Sequence, residues 1–345
     1  MQCDDMKFWQ TIKRPPWRTI ILGSALLVLL WLAYLLWTPG LDVRDGRHDR
    51  GQNGIWLSHG WLGADEWFLS NHKTNEFVRY RDPERIRELA DNLRRHHVTD
   101  VFPHLCPATL AGDIPAVNDR QVELFLDAFT GFRVLPWIGG PNGNQVRLDD
   151  TRWRSNFIAS SRSLLIAHPR LAGVQLNIEP LPSGDGNFLI LLGELRTALP
   201  PGKIISVAAY PPPTRWHPYP DVHWNEAYFR EVARRSDQLA VITYDAGQHI
   251  PKAYQKLMTD WTREILAWSE GKEVLIGVPT YNDAGVGYHD PRVENLTNAL
   301  LGVHRALVSS ALPANYRGVS IYCEWETDDV EWRYFTEHFL APTPP

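Results

Sequence analysis

Cysteine is scarce in this chain, and so are the spacings that would bind a metal. Its 345 residues hold three cysteines, Cys3, Cys106 and Cys323, too few for a disulfide scaffold and without the paired spacing of a zinc site. The 13 histidines are scattered, with no H-x-x-x-H or H-E-x-x-H at helical spacing, so no metal is expected. An excess of positive charge is also missing. Lys and Arg number 35 against 40 Asp and Glu, a formal charge of −5, which argues against nucleic acid as the main partner. At 44% hydrophobic and 22% charged residues, the chain is neither a disordered tail nor a polytopic membrane protein. What it has in abundance is tryptophan, 15 residues of a large, flat, amphipathic side chain.

One long apolar run stands near the N-terminus. Ile20 to Trp37 reads IILGSALLVLLWLAYLLW without a charge. At 1.5 Å per residue it would reach roughly 27 Å, close to the thickness of a bilayer's hydrocarbon. A cleaved signal peptide would have a shorter apolar core and small residues after it. Here Thr38-Pro39-Gly40 follows, so an uncleaved anchor is expected, binding membrane through residues 20–37. Lys7, Lys13, Arg14 and Arg18 precede the span and Arg44, Arg47 and Arg50 follow it, a narrow margin that puts the N-terminus in the cytoplasm. The larger part would then lie in the periplasm or outside the cell. The expected organisation is a cytoplasmic segment (1–18), an anchor (19–38), a polar Arg-, Asp- and Gly-rich linker (39–53), one domain (54–340) and a short tail (341–345).

From Gly54 a strand-like run alternates with a helical pattern eight times. The runs begin at Gly54, Thr99, Arg133, Ala172, Lys203, Leu239, Glu273 and Arg317. Between them lie segments such as Asp82 to His96, which opens with Asp82 as N-cap and Pro83 behind it. Eight such units have the size of a (β/α)8 TIM barrel. A doubly wound open sheet usually carries a glycine-rich phosphate loop after its first strand, and Gly54 to Gly63 contains no G-x-G-x-x-G. An α/β fold of the barrel type, behind one N-terminal transmembrane helix, is therefore expected, with no cofactor.

Barrel chemistry sits where strands end. Those ends supply His59 and Trp61, His104, Trp137, Glu179, Tyr210, Tyr244-Asp245, Tyr281-Asn282-Asp283, and Tyr322 to Glu326. Aromatic faces stack on sugar rings and carboxylates bind hydroxyls, so a saccharide suits this rim better than a phosphate. Trp216, in the Pro-rich loop Tyr210 to Trp224, reads as a further sugar-stacking wall. On the fourth strand, side-chain alternation puts Val174, Leu176 and Ile178 on one face and Gln175, Asn177 and Glu179 on the other. The polar set should point into the barrel, with Glu179 at its top.

These strand ends together resemble the chitinase-like glycoside hydrolases of family 18. Trp137-Ile138-Gly139-Gly140 is similar to that family's S-x-G-G, and Ala172 to Glu179 (AGVQLNIE) to its D-G-x-D-x-D-x-E. Ile242-Thr243-Tyr244-Asp245 is similar to M-x-Y-D, and Gly277-Val278-Pro279-Thr280-Tyr281 to G-x-P-x-Y. Tyr322, with Trp325 beyond it, stands where the family usually has a tryptophan under the sugar. The resemblance implies that Glu179 is the general acid of a substrate-assisted mechanism, in which the sugar's own 2-acetamido oxygen attacks the anomeric carbon. It implies that Tyr244 bonds the acetamido group and that Asp245 lines the same subsite. Trp61, Trp137, Gln175, Tyr210, Trp216, Tyr281, Tyr322 and Trp325 would bind the glycan.

The departures are Ala172, Gln175 and Asn177, which replace the family's three aspartates. Asn-x-Glu also resembles the family 85 endo-N-acetylglucosaminidases, where an amide orients the acetamido group. The reading is a glycosidase of chitin-like, peptidoglycan-like or exopolysaccharide chains. The alternative is a catalytically inactive carbohydrate-binding protein. An ordinary two-carboxylate glycosidase would pair Glu179 with Glu324 or Glu326, but strands four and eight lie on opposite sides of a barrel. A bond between Cys106 and Cys323 would have to cross strand one. The oligomeric state stays open.

Overall fold

The computed structural model describes residues 17–73, 76–215, 220–283, 288–309 and 311–342. Its centre is a closed parallel barrel. The strands are β1 (Asn53–Leu57), β2 (Val98–Pro103), β3 in two pieces (Arg133–Val134 and Trp137–Pro141), β4 (Gly173–Glu179), β5 (Ile204–Ala209), β6 (Gln238–Val241), β7 (Glu273–Pro279) and β8 (Tyr316–Tyr322). Leu135-Pro136 divides β3, because proline has no N–H to give a ladder. The first piece pairs Val134 with Val101 of β2, and the second pairs Trp137 with Gln175 of β4. A bridge from His104 to Trp137 carries β2 onto the second piece. Ile55 of β1 pairs with both Val101 and Ile321, which closes the ring.

All eight strand-like runs of the sequence are strands here. The helices are α1 (Trp17–Leu36), α2 (Asp65–Ser70), α3 (Pro83–Arg95), α4 (Asp119–Ala128), α5 (Thr151–Ala167), α6 (Gly186–Ala198), α7 (Glu226–Arg235), α8 (Pro251–Trp268), α9 (Leu296–Leu307) and α10 (Asp329–His338). Asp82 caps α3 by accepting the Glu84 N–H, with Pro83 in the first turn.

Two apolar layers follow from strand alternation. Val174, Leu176 and Ile178 join Phe188, Leu191 and Leu195 of α6 in the layer between sheet and helices. Trp56, Phe102, Leu135, Ala240 and Leu275 fill the barrel interior. Cys106 and Cys323 are buried and unbonded, so the crossing disulfide is not made.

α1 is 20 residues long, about 30 Å, with no residue buried. It is long and apolar enough to cross a membrane. The segment after it, expected as a polar linker, is packed on the barrel wall. Leu41 is buried and its N–H donates to the Tyr334 hydroxyl at 2.6 Å.

Candidate active site

β4 delivers the central carboxylate. Its inward residues rise from the interior in register. Gln175, fully buried, accepts the Trp56 indole N–H at 2.7 Å. Asn177 is next, buried, with a side-chain hydrogen bond to Glu179 and an Oδ1 that has no partner. Glu179 follows at the strand's end, its residue open to solvent along a cleft. The neighbouring strand needs glycine for this approach. A Cβ on Gly139, at φ +129°, would stand 2.1 Å from the Asn177 carbonyl oxygen.

The cleft has a volume of about 660 Å³ and lies on the β4 to β7 side of the rim. Glu179, Tyr210, Tyr244 and Asp245 line it, with Ile242, Trp261 and Tyr288 adding apolar wall. Tyr244, buried beneath it, lies almost parallel to Tyr322, with centroids 5.1 Å apart at 20°. Trp56 and Tyr281 meet Tyr244 edge-on at 6.5 and 6.0 Å. These aromatic contacts fix the ring and aim its hydroxyl.

Both carboxyls of the cleft are held near neutrality. Although its residue is open to solvent along the cleft, Glu179 is surrounded by protein on its other sides, and that desolvation pushes its carboxyl up to about 7, against the hydrogen bond from Asn177 that pulls it down. Burial also pushes Asp245 up to about 7. His289 opposes that shift, while Glu294, Glu179 and Asp283 add to it. No lysine or arginine among the described residues lines the cleft to reverse either effect. The Tyr244 phenol, raised well above its ordinary value by burial, stays protonated and able to donate.

Asp245 occupies a left-handed backbone conformation, φ +59°, unusual for a residue with a side chain. Three neighbours hold it there. The Tyr281 hydroxyl donates to its Oδ1. His289, stacked on the Tyr281 ring at 4.0 Å, brings Nδ1 to 3.6 Å from Oδ1. Glu294, wholly buried, accepts the N–H groups of Ala246 and Gln248 at 2.9 and 2.8 Å and so fixes the following loop. His289 and Glu294 were not among the residues expected from sequence. Their only mark is the charge-rich stretch His289 to Glu294 after β7, which local spacing does not tie to Asp245.

The structure therefore brings Asn177, Glu179, Tyr244, Asp245, Tyr210 and Tyr281 together at one place. Tyr322 is half-buried above Tyr244, and Trp325, 40% exposed, meets it edge-on at 5.7 Å. Trp137 is buried against His104, its indole N–H without a partner. Two expected binding residues lie elsewhere. Trp61 is 1% exposed in the core, packed edge-on to Tyr80 at 4.8 Å, so it offers no face to a sugar. Gln175 is sealed inside the barrel by Trp56. Trp216 lies outside the described residues. Glu324 accepts from the Trp61 indole at 3.3 Å and Glu326 from the Asn282 N–H at 2.8 Å. Neither of these carboxylates lines the cleft, so neither is placed to act as the second carboxylate beside Glu179. The described residues contain no cluster of three metal-ligating side chains.

No family model matches the sequence, and no curated protein matches it. Solved structures do match in shape. The spore cortex-lytic enzyme SleL of Bacillus cereus superposes with a TM-score of 0.53 at 11% identity, over 84% of this chain and 74% of that one. A chitinase of Rhizomucor miehei gives 0.53 at 14%, over 83% and 99%. A fungal endo-beta-N-acetylglucosaminidase of glycosyl hydrolase family 18 gives 0.53 at 14%, over 84% and 98%. At such low identity the likeness is one of architecture: the chain has the (β/α)8 fold of the chitinase-like barrels.

Proposed function

We propose that this protein is a membrane-anchored glycoside hydrolase that cleaves N-acetylhexosamine-containing glycans by substrate-assisted acid catalysis. One observation carries the reading. The carboxyl at the end of β4 stands in one cleft with Tyr210, Tyr244 and Asp245, where desolvation pushes it up to about 7 and lets it hold a proton near neutral pH. Glu179 gives that proton to the glycosidic oxygen as the bond to the anomeric carbon breaks. The 2-acetamido oxygen attacks the same carbon and closes a five-membered oxazolinium ring, which keeps the amide N–H and carries the positive charge. Glu179, now a carboxylate, takes a proton from the water that reopens the ring.

Asn177 and Tyr244 suit the acetamido group. The unpartnered Asn177 Oδ1 is an acceptor for its N–H, and the Tyr244 hydroxyl is a donor for its oxygen. Asp245 lines the same subsite and is the cleft's second carboxyl. A wall without lysine or arginine among the described residues favours an uncharged sugar over a phosphate. α1 would carry the barrel on the outer surface of a membrane, with the N-terminus in the cytoplasm.

A second reading, sugar binding without turnover, is favoured by Asn177. An amide brings no charge to the positive intermediate that a carboxylate would stabilise. Glu179→Gln separates the two. Hydrolysis of a chromogenic N-acetylglucosaminide oligomer should fall about 10²- to 10⁴-fold while binding of the oligosaccharide persists. A wild-type protein that binds such oligomers and hydrolyses none would establish the second reading.

A further inference from the structure

The stretch between α1 and β1 has the composition of a free linker, yet it is fastened along its length. Gly40 lies against Tyr334 and Thr297, and Leu41 donates to the Tyr334 hydroxyl. Further on, His48 Nε2 stands 2.9 Å from His304 Nδ1. Asp49 then meets His97 and accepts the Ala341 N–H at 3.0 Å. Arg50 donates to the Leu312 and Pro313 carbonyls at 3.0 and 2.9 Å.

These contacts have a direction. Each helix of the barrel follows the C-terminal end of a strand, so helix N-termini lie at the catalytic rim. Thr297 is in the first turn of α9, at the rim end, whereas His304 is in its last turn. His97 follows α3 and Ala341 follows α10, both at the opposite end. The segment thus runs down the outside of the barrel as a strap, and α1 departs from the rim. Lys252, in the first turn of α8 and also at the rim end, places its ammonium 5.0 and 4.8 Å from the Tyr34 and Trp37 rings.

The strap changes the reach of the anchor. Residues 37–40 alone separate α1 from Leu41, the first residue hydrogen-bonded to the barrel, a span of roughly 15 Å at most. Were residues 37–52 free, the barrel could drift about 55 Å from the end of α1. An independent feature agrees. Outside α1, exposed large apolar side chains gather on rim loops and first turns, as Leu69, Val78, Leu110, Tyr288, Trp325 and Val330. The opposite end has Ile166 and Val308.

We propose that the anchor and strap hold the catalytic rim at the bilayer surface, so that the substrate is a lipid-tethered N-acetylhexosamine saccharide. This rests on reading α1 as a membrane span and the cleft as a hydrolase site. The test uses the full chain in phosphatidylcholine vesicles bearing a nitroxide headgroup quencher. In a Cys3→Ser background, fluorophores are attached through Val330→Cys at the rim and Val308→Cys at the far end of the same wall. Quenching should be several-fold stronger at position 330. Equal quenching, or stronger quenching at 308, would overturn the placement.

The same vesicles then carry a chitooligosaccharide conjugated to phospholipid, beside the free oligosaccharide. Wild-type protein should turn over the tethered form at least tenfold faster. A flexible 20-residue Gly-Ser insertion between Pro39 and Gly40, about 25 Å in mean reach, should abolish that preference and leave the free substrate unaffected. Rim quenching with equal turnover of both forms would overturn the substrate. Rim quenching with turnover of neither would overturn the hydrolase reading and, with it, the substrate, leaving only the placement.

Discussion

The two ends of this barrel treat charge in opposite ways. At the N-terminal end Asp100, Arg133, Glu273 and Arg317 form a network of opposite charges. Asp100, fully buried, accepts from Arg133 Nε at 2.7 Å and from Gln238 at 2.6 Å. Arg133 and Arg317 both reach Glu273, at 2.8 and 2.7 Å. At the rim, Glu179 and Asp245 share a cleft with no arginine or lysine among its described lining residues, and burial pushes both up to about 7. Compensated charge fixes a fold. Uncompensated charge leaves a proton available near neutral pH.

The comparison would break if the paired end proved dispensable. Asp100→Ala removes the anion while Arg133 keeps only Glu273 and Gln238 loses its acceptor. The expected cost is about 3 kcal/mol by denaturant unfolding, with activity per folded molecule unchanged. A variant as stable as wild type would show that the network is ornamental. At the rim the sign should reverse, with a smaller effect. Glu179 has a folded value above the unfolded one, so the unfolded chain releases its proton first as pH rises from 4.5 towards 7. Native stability therefore falls across that window, and the loss is complete above it. Glu179→Gln should raise Tm at pH 8 and leave it unchanged at pH 4. An equal shift at both values would place the effect outside the carboxyl's ionisation.

The barrel was legible because its signals are local and repeated. Eight apolar runs with helical patterns between them need no knowledge of partners, and alternation along β4 correctly separated Val174, Leu176 and Ile178 from Gln175, Asn177 and Glu179. Trp61 shows where that reasoning stops. Position near a strand end does not say whether a ring faces the cleft, and this one is covered by Tyr80 and Phe125. The strap was unreadable for a related reason. Asp49 and Arg50 look like solvated linker charges until the chain folds His97, Leu312 and Pro313 against them. The support of Asp245 by His289 and Glu294 is likewise a product of loop closure, absent from any motif.

The pH dependence of kcat/KM tests the central claim most directly, measured on a soluble N-acetylglucosaminide oligomer. A general acid whose value is raised to about 7 is protonated below that pH and loses its proton above it, so activity should decline tenfold per pH unit on the alkaline side of about 7. A profile already falling near pH 4.5, or level up to pH 9, would contradict the assignment of Glu179 as an acid poised by burial.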